Sequence, residues 1–429
     1  MKITFLIHNI YGVGGTIRTT LNLATALADR HDVEIVSMLR HRTKPRFAID
    51  RRITVTPLVD RRTGSGDLGD PLIDQAAEVF PKEEKRYGQY SRLTDLRVER
   101  FLRDCDADVI IGTRPGINVY LREFGSPKAL RIAQEHLTHD AHSRKLRAVL
   151  GRDYRALDAV VTTTQADARV YEQRMRLPGV RVAAVPNSVP RPSVEPSDGQ
   201  GKVIATAGRL VRAKRFDLLV EAFAVVAAKH PDWSLRIYGH GAEEEHLRQL
   251  IEERDLGGRA RLMGFRAPIE NEFAAASVVA VASEAESFGM TIVEAMRCGV
   301  PVVSTDCPLG PGEIITDGVD GRLVPVGDRD ALAAALLELV ENPGLRRRMG
   351  DAAVRSAEQY EPAVVADAYE ALFDELDATR RARARERRRA LWRARAAGVL
   401  RRLGVRRRAA KPVPADDGTG ARSGPVRSS

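Results

Sequence analysis

Two adjoining pieces of the chain decide its fold: Val278-Val-Ala-Val-Ala282, and then Glu286-Ser-Phe-Gly-Met-Thr-Ile-Val-Glu294. The first is an apolar run of strand length. The second passes through a glycine into a helical pattern that continues to Met296. Strand, glycine turn and helix together form the repeating unit of parallel sheets. The turn presents the first helical N–H groups, which have no partner inside the helix, at the carboxyl end of the strand. That helix end carries roughly half a positive charge and suits a phosphate. Glu286 and Glu294 flank the same slot, and carboxylates do not bind phosphate. They accept hydrogen bonds from hydroxyls, so the predicted cargo is a phosphate with a sugar at each end. The opposing reading is a surface glutamate and a helix-face glutamate with no shared ligand.

Working outward, strand and helix patterns alternate twice. In the first half Ile3–Ile7, Val33–Met38, Ile53–Val59, Val109–Ile111, Arg131–Ala133 and Val160–Thr163 read as strands, with helices over Thr16–Arg30 and Arg92–Arg103. Pro186 to Gln200 collects Pro, Ser, Asp and Gly, the chemistry of a linker. In the second half the strands are Val203–Ala207, Ser234–Tyr238, Arg261–Met263, Val278–Ala282, Val302–Thr305 and Arg322–Val324. Helices are predicted over Phe216–Lys229, Glu243–Arg254, Met290–Arg297 and Asp330–Val340. This is an α/β chain with two doubly wound, Rossmann-like domains. Ligands of such sheets sit at strand carboxyl ends, so the cleft between the domains is the expected site. Residues 61–85 show no period and read as a long loop, either solvated or facing an acceptor.

The chain has 429 residues, enough for two domains and an extra segment, and a net charge of +10. The charge is local. Residues 378–429 hold 17 Lys and Arg against 3 Asp and Glu, which leaves the body mildly acidic. With few aromatic residues and no nucleic-acid module in the body, no specific nucleic-acid partner is expected. Three cysteines, Cys105, Cys298 and Cys307, lack metal spacing and fit reduced thiols in the cytoplasm. No apolar stretch is long enough to span a bilayer.

Tyr11-Gly-Val-Gly-Gly-Thr-Ile-Arg18 opens a helix after the first strand. The run Gly12-x-Gly14-Gly15-x-x-Arg18 lacks the third glycine of a dinucleotide fingerprint, and no acidic residue closes the second strand, which ends in Arg40. A nicotinamide or flavin enzyme is therefore disfavoured, and the alternative to a ligand site is a purely geometric glycine turn. After the first strand of the second domain comes Gly208-Arg-Leu-Val-Arg-Ala-Lys-Arg-Phe-Asp217. Here Arg209 offers a planar fork and Lys214 a point charge, which together can bracket a diphosphate.

These motifs, with Cys298-Gly-Val-Pro-Val-Val-Ser-Thr-Asp306 and Asp317-Gly-Val-Asp-Gly-Arg-Leu-Val324, resemble the family 4 retaining glycosyltransferases of GT-B fold over residues 1–375. The resemblance implies an acceptor-side domain at 1–190, a linker at 191–200 and a nucleotide-sugar domain at 201–360. A crossover helix at 361–377 would return to the first domain, followed by a basic tail at 378–429. It implies that Arg209 and Lys214 hold the donor diphosphate and stabilise its departing charge. The backbone at Gly289, Met290 and Thr291 would face that diphosphate, with Gly14 and Gly15 closing from the other domain. Glu294 would accept from the ribose hydroxyls, and Glu286 from the donor sugar near its reacting carbon. His136, in Gln134-Glu135-His136, matches the histidine this family sets beside the donor sugar; the alternative is a capping or solvent-facing histidine. Thr113–Gly116 would line the acceptor side. The implied reaction is retaining transfer from a nucleotide sugar, expected to be UDP-linked, onto a glycan or lipid-linked acceptor.

Other readings stay open. A nucleotide-sugar epimerase shares the fold, and a non-catalytic binding protein could act through the basic tail. Asp106-Ala-Asp108 and Asp328-Arg-Asp330 match a metal-binding string, but they precede a strand and start a helix, where aspartates are common. No obligatory metal or cofactor is expected. In the tail Trp392, Ala396, Val399, Leu400 and Leu403 share one helical face flanked by arginines. Residues 380–408 therefore read as an anchor for an anionic membrane, at its inner face, against the alternative of a disordered polybasic tail. Disorder is expected from about Ala409.

Overall fold

The computed structural model describes residues 1–402, with side-chain surroundings through residue 396. Two parallel sheets form in the predicted alternation. The first contains β1 (Lys2–Ile7), β2 (Asp32–Arg40), β3 (Thr54–Asp60), β4 (Val109–Gly112), β5 (Leu130–Gln134), β6 (Ala159–Thr162) and β7 (Arg181–Ala184). Its order is β3-β2-β1-β4-β5-β6-β7. The second contains β8 (Val203–Ala207), β9 (Ser234–Tyr238), β10 (Ala260–Gly264), β11 (Val278–Val281), β12 (Val302–Thr305) and β13 (Gly321–Val324), in the order β10-β9-β8-β11-β12-β13.

The first-domain helices are α1 (Gly15–Leu27), α2 (Arg92–Asp104), α3 (Pro115–Phe124), α4 (Arg144–Asp153) and α5 (Gln165–Arg174). The second domain carries α6 (Phe216–Lys229), α7 (Glu244–Glu253), α8 (Glu270–Ala274), α9 (Met290–Arg297), α10 (Pro311–Ile314), α11 (Arg329–Glu341) and α12 (Pro343–Ser356). The chain then enters α13 (Pro362–Arg402). The central strands are apolar throughout, as sheets covered on both faces require; Val109–Gly112 and Val278–Val281 are entirely buried.

In each sheet the strand order reverses between the first and fourth strands, at β1/β4 and at β8/β11. That reversal opens a crevice above the strand ends. The four connections at these crevices carry the glycine turn after β1, Thr113–Gly116 after β4, the Arg209 loop after β8 and the Glu286 loop after β11. Topology alone thus gathers the sequence motifs at the cleft.

Two segments differ from expectation. Residues 61–85 are not a solvated loop: Ile73, Ala77 and Phe80 are buried in the first-domain core, and the Phe80 ring stacks on Tyr90 at 3.6 Å between centroids. Their apolar residues pack without a helical or strand period, so no period announced them. The second difference is α13, which does not stop at residue 377. It continues as one helix through Arg402. Val365, Ala366, Tyr369, Leu372, Phe373 and Leu376 bury against the first domain, the larger ones each stabilising by about 1.5–3 kcal/mol. Beyond them Arg383 is 8 % exposed and donates to Asp158 at 2.8 Å, while Arg387 bonds the carbonyls of Leu157 and Gly179. These two arginines, first assigned to the tail's anionic surface, dock the helix onto the first domain instead. Leu391 and Trp392, past the docked part, are 60 % and 72 % exposed. Leu403 and the region from Ala409 lie outside the described residues.

Candidate active site

The second-domain wall of the cleft is set by two loop-to-helix turns. Gly289 caps α9 with φ +110°, a left-handed conformation that favours glycine, so the helix can start immediately beneath the cleft. Met290 and Thr291 form its first turn, and the Thr291 hydroxyl donates to the Ala207 carbonyl at 3.2 Å. Glu286 lies just before this turn and accepts from Lys214 Nζ at 2.5 Å and Ser283 Oγ at 2.7 Å. Lys214 and Glu286 are therefore paired with each other. The space they line with Thr206, Ser283 and Thr291 has a volume of about 10 Å³, so a ligand there has to part them. Arg209, at the end of β8, is exposed and, among the described residues, pairs with no carboxylate.

Glu294 faces the first domain. It is 7 % exposed and pairs with Arg18 at 2.9 Å; the other arm of Arg18 reaches Glu270 at 2.8 Å. Burial pushes the Glu294 carboxyl up to about 7; Arg18 opposes the shift and Glu270 adds to it. Arg18, near the start of α1, is thus a bridge across the cleft, and it holds the carboxylate that the family resemblance assigns to ribose. Further contacts join the walls. Thr163 Oγ1 donates to the Ser287 carbonyl at 2.7 Å, and the first N–H groups of α5 donate to Glu313 at 2.7 and 2.8 Å.

On the first-domain wall, Gly14 and Gly15 stand open at the start of α1, with no atom within 4 Å of where a Cβ would be. His136 is half-buried, and burial, then the Arg114 charge, push its pKa down to about 4, so the imidazole is neutral. Its Nε2 lies 3.2 Å from Gln134 Oε1, and Gln134 Nε2 donates to the Tyr369 hydroxyl of α13 at 2.6 Å. The returning helix therefore orients His136 through Gln134. Glu135, quoted beside it but given no role, is fully buried. It accepts from the Tyr154 hydroxyl and, at 3.3 Å, from Asn118 Nδ2. His142 approaches it at 3.3 Å, and although burial opposes the charge, Glu135 raises the His142 pKa overall.

Three candidates had no individual role in the sequence reading: Arg18, Arg86 and Arg114. Arg114, inside Thr113–Gly116, makes a bidentate pair with buried Glu84 at 2.8 Å on both arms. Arg86 contacts His8 Nε2 at 3.3 Å; its pKa is lowered by burial, by Arg114 and, more weakly, by Arg209. Arg86 on the first-domain wall thus lies within electrostatic reach of Arg209 on the second. The aspartate pairs lie elsewhere. Asp106 and Asp108 bond Lys2, Asp328 caps α11 and Asp330 pairs with Arg329.

Comparisons with known proteins identify the family and the fold. Residues 13–191 match the model of Glycosyltransferase Family 4, and residues 191–356 that of Glycosyl transferases group 1. A lipopolysaccharide core biosynthesis glycosyltransferase, LpsE of Rhizobium meliloti, is 32 % identical, over 86 % of this chain and 98 % of its own. An exopolysaccharide phosphotransferase of Streptomyces coelicolor is 34 % identical over 89 % of this chain, which spans 41 % of that relative's length. Among solved structures, Staphylococcus aureus TarM with UDP superposes at TM-score 0.70, with 16 % identity, covering 87 % of this chain and 99 % of TarM. HepE of Anabaena with UDP-glucose gives 0.66 and 23 %, covering 87 % and 100 %. The fold is GT-B. This chain belongs to the family 4, group 1 glycosyltransferases.

Proposed function

We propose that the protein transfers a sugar, with retention of configuration, from a UDP-sugar to a hydroxyl of a lipid-linked or cell-envelope glycan. One observation carries the reading: Arg209 is exposed at the cleft and, among the described residues, pairs with no carboxylate, while the charge of Arg86 on the other wall is disfavoured by burial, by Arg114 and, more weakly, by Arg209. A diphosphate supplies the missing anion. On binding, Lys214 leaves Glu286 for that diphosphate, and Glu286 turns to the sugar hydroxyls. Arg18 yields Glu294 to the ribose. The N-terminus of α9 and the open backbone at Gly14 and Gly15 complete the phosphate cradle. The leaving phosphate takes the proton from the incoming hydroxyl on the same face, so the residues position groups and stabilise charge. Neutral His136, held by Gln134, sits beside the donor sugar. No metal step is invoked, since two guanidinium groups and Lys214 meet the departing charge.

Relatives named for lipopolysaccharide core and amylovoran biosynthesis, and solved structures holding UDP, support the choice of acceptor and donor. Among the described residues no helix is long and apolar enough to cross a membrane. The exposed Leu391 and Trp392, among arginines at the end of α13, support peripheral attachment to an anionic inner membrane face. The test is a thermal-shift panel of nucleotide sugars on wild type and Glu286→Ala, with release of free nucleotide followed in the same wells. A donor at 100 times its Kd stabilises by about 2.7 kcal/mol. Stabilisation by a UDP-sugar with slow nucleotide release, lost in the variant, supports the proposal; no response to any nucleotide sugar rejects it.

A further inference from the structure

The first domain carries a second concave feature outside the cleft. A groove of about 660 Å³ runs between α4 and α5, lined by Arg144, Arg147, Arg152, Arg155, Arg174 and Arg176. Six guanidinium groups around one groove run against the mildly acidic character of the body. Asp140 at its upper end holds Arg147 at 3.0 Å and Arg174 at 2.5 Å, and Arg152 pairs with its neighbour Asp153. Among the described residues, Arg144, Arg155 and Arg176 pair with no carboxylate, and all three are exposed. Arg155 Nε donates to the Arg176 carbonyl at 3.1 Å, which fixes the lower end of the row.

The row is not an isolated patch. His139 lines its upper end and belongs to the same loop as His136, and its backbone N–H is tied to Asp167 of α5 at 3.0 Å. The groove therefore begins on the loop that carries His136 and runs along two helices. Planar guanidinium forks match phosphate and carboxylate oxygens in bidentate fashion, and spaced charges match a chain rather than a single ion. A membrane surface is the poorer fit. Met175, the one large apolar side chain lining the groove, is buried, so nothing there inserts into lipid.

We propose that this groove is the track for an anionic acceptor, a glycan chain bearing phosphate or carboxylate groups along its length, whose terminal hydroxyl it leads to the cleft. The proposal rests on the transferase reading and narrows its acceptor to a polyanion. The experiment uses the full chain and fluorescence anisotropy with a labelled heparin oligosaccharide, with neutral dextran as the uncharged chain. Arg144→Glu, Arg155→Glu and Arg176→Glu are combined in one variant. A second variant makes the same charge change on α13 with Arg388→Glu, Arg389→Glu and Arg393→Glu. The groove variant is expected to bind the anionic chain at least about tenfold more weakly, with a shallower salt dependence, while the helix variant changes little. Equal losses in both variants overturn the proposal, as does tight binding to phosphatidylglycerol vesicles without binding to the soluble chain. If the triple variant lacks a melting transition, Arg144→Glu alone, in the exposed first turn of α4, is expected to weaken binding severalfold. Stabilisation by UDP-sugar in the same proteins reads the donor site separately. Its absence with groove binding intact sinks the transferase reading and leaves the groove as a polyanion site.

Discussion

Glu286 and Glu135 stand on opposite walls of one cleft and are held in different ways. Glu286 keeps two partners from its own domain, Lys214 and Ser283, at the margin of solvent. Glu135 is sealed beneath the surface in a network with Tyr154, Asn118 and His142. Ion pairs near water exchange partners at little cost, whereas a buried network is rigid because every lost bond exposes an unpaired group. If the cleft takes a donor as proposed, the second-domain wall is the one expected to rearrange around it. The first-domain wall is a frame already set.

The sharpest way to break this contrast is at Arg209. Arg209→Ala is expected to cost about 2.7–4 kcal/mol of transition-state stabilisation, some 10²–10³ in kcat/KM for donor turnover. Its melting temperature without ligand stays close to wild type, because the side chain is exposed. Near-normal kcat/KM in that variant removes Arg209 from the mechanism. The first-domain side responds oppositely. Arg383→Ala, which strips a buried donor from Asp158, is expected to lower stability by about 1–3 kcal/mol while leaving the UDP-induced shift in place.

Acidity sharpens the contrast further. The Glu294 carboxyl is raised from 4.5 to about 7, so the folded chain holds that proton more tightly than the unfolded chain. Its contribution to stability is full below about pH 4.5 and is lost as pH rises to about 7. His136 is lowered from 6.5 to about 4, so its contribution is full above about pH 6.5 and is lost as pH falls to about 4. Denaturant titrations at stepped pH are expected to show Glu294→Gln losing stability more steeply on acidification, and His136→Asn less steeply, than wild type. Parallel profiles for all three proteins contradict this. The smallest effect is expected from Tyr369→Phe. Removing the hydroxyl that Gln134 contacts costs about 1 kcal/mol of stability and loosens His136, lowering kcat with little change in KM for the donor.

The same contrast explains what could be read from the chain alone. Arg209, Lys214, Glu286 and Glu294 lie within short segments that each contain a strand end, a turn and a helix start, so local pattern carried the fold and marked these residues as candidates. Arg18 and Glu294 are far apart in sequence and meet only when two domains face each other. Glu84 and Arg114 are brought together by a segment without a period, and Glu135 gains partners from α3 and the end of α4. The strand β7, Arg-Val-Ala-Ala, has a single β-branched residue and gave no alternation to detect. In α13 the inward arginines were hidden among many outward ones. Their spacing, Arg380, Arg383 and Arg387, is that of one helical face, but only Asp158 on another element makes that face the buried one.

The chain passes between the domains twice, in the linker and at the entry to α13, and the two passages lie side by side: Val189 N–H donates to the Tyr360 carbonyl at 2.8 Å. Adjacent passages bring both crossings to one place, about which any swing of the domains would turn. The docked helix also backs the covalent tether with a non-covalent one. A protease cut among residues 190–200 leaves the second domain still fastened to the first by a helix clamped along it. The nicked protein would travel as one particle, and its two pieces would part only in denaturant.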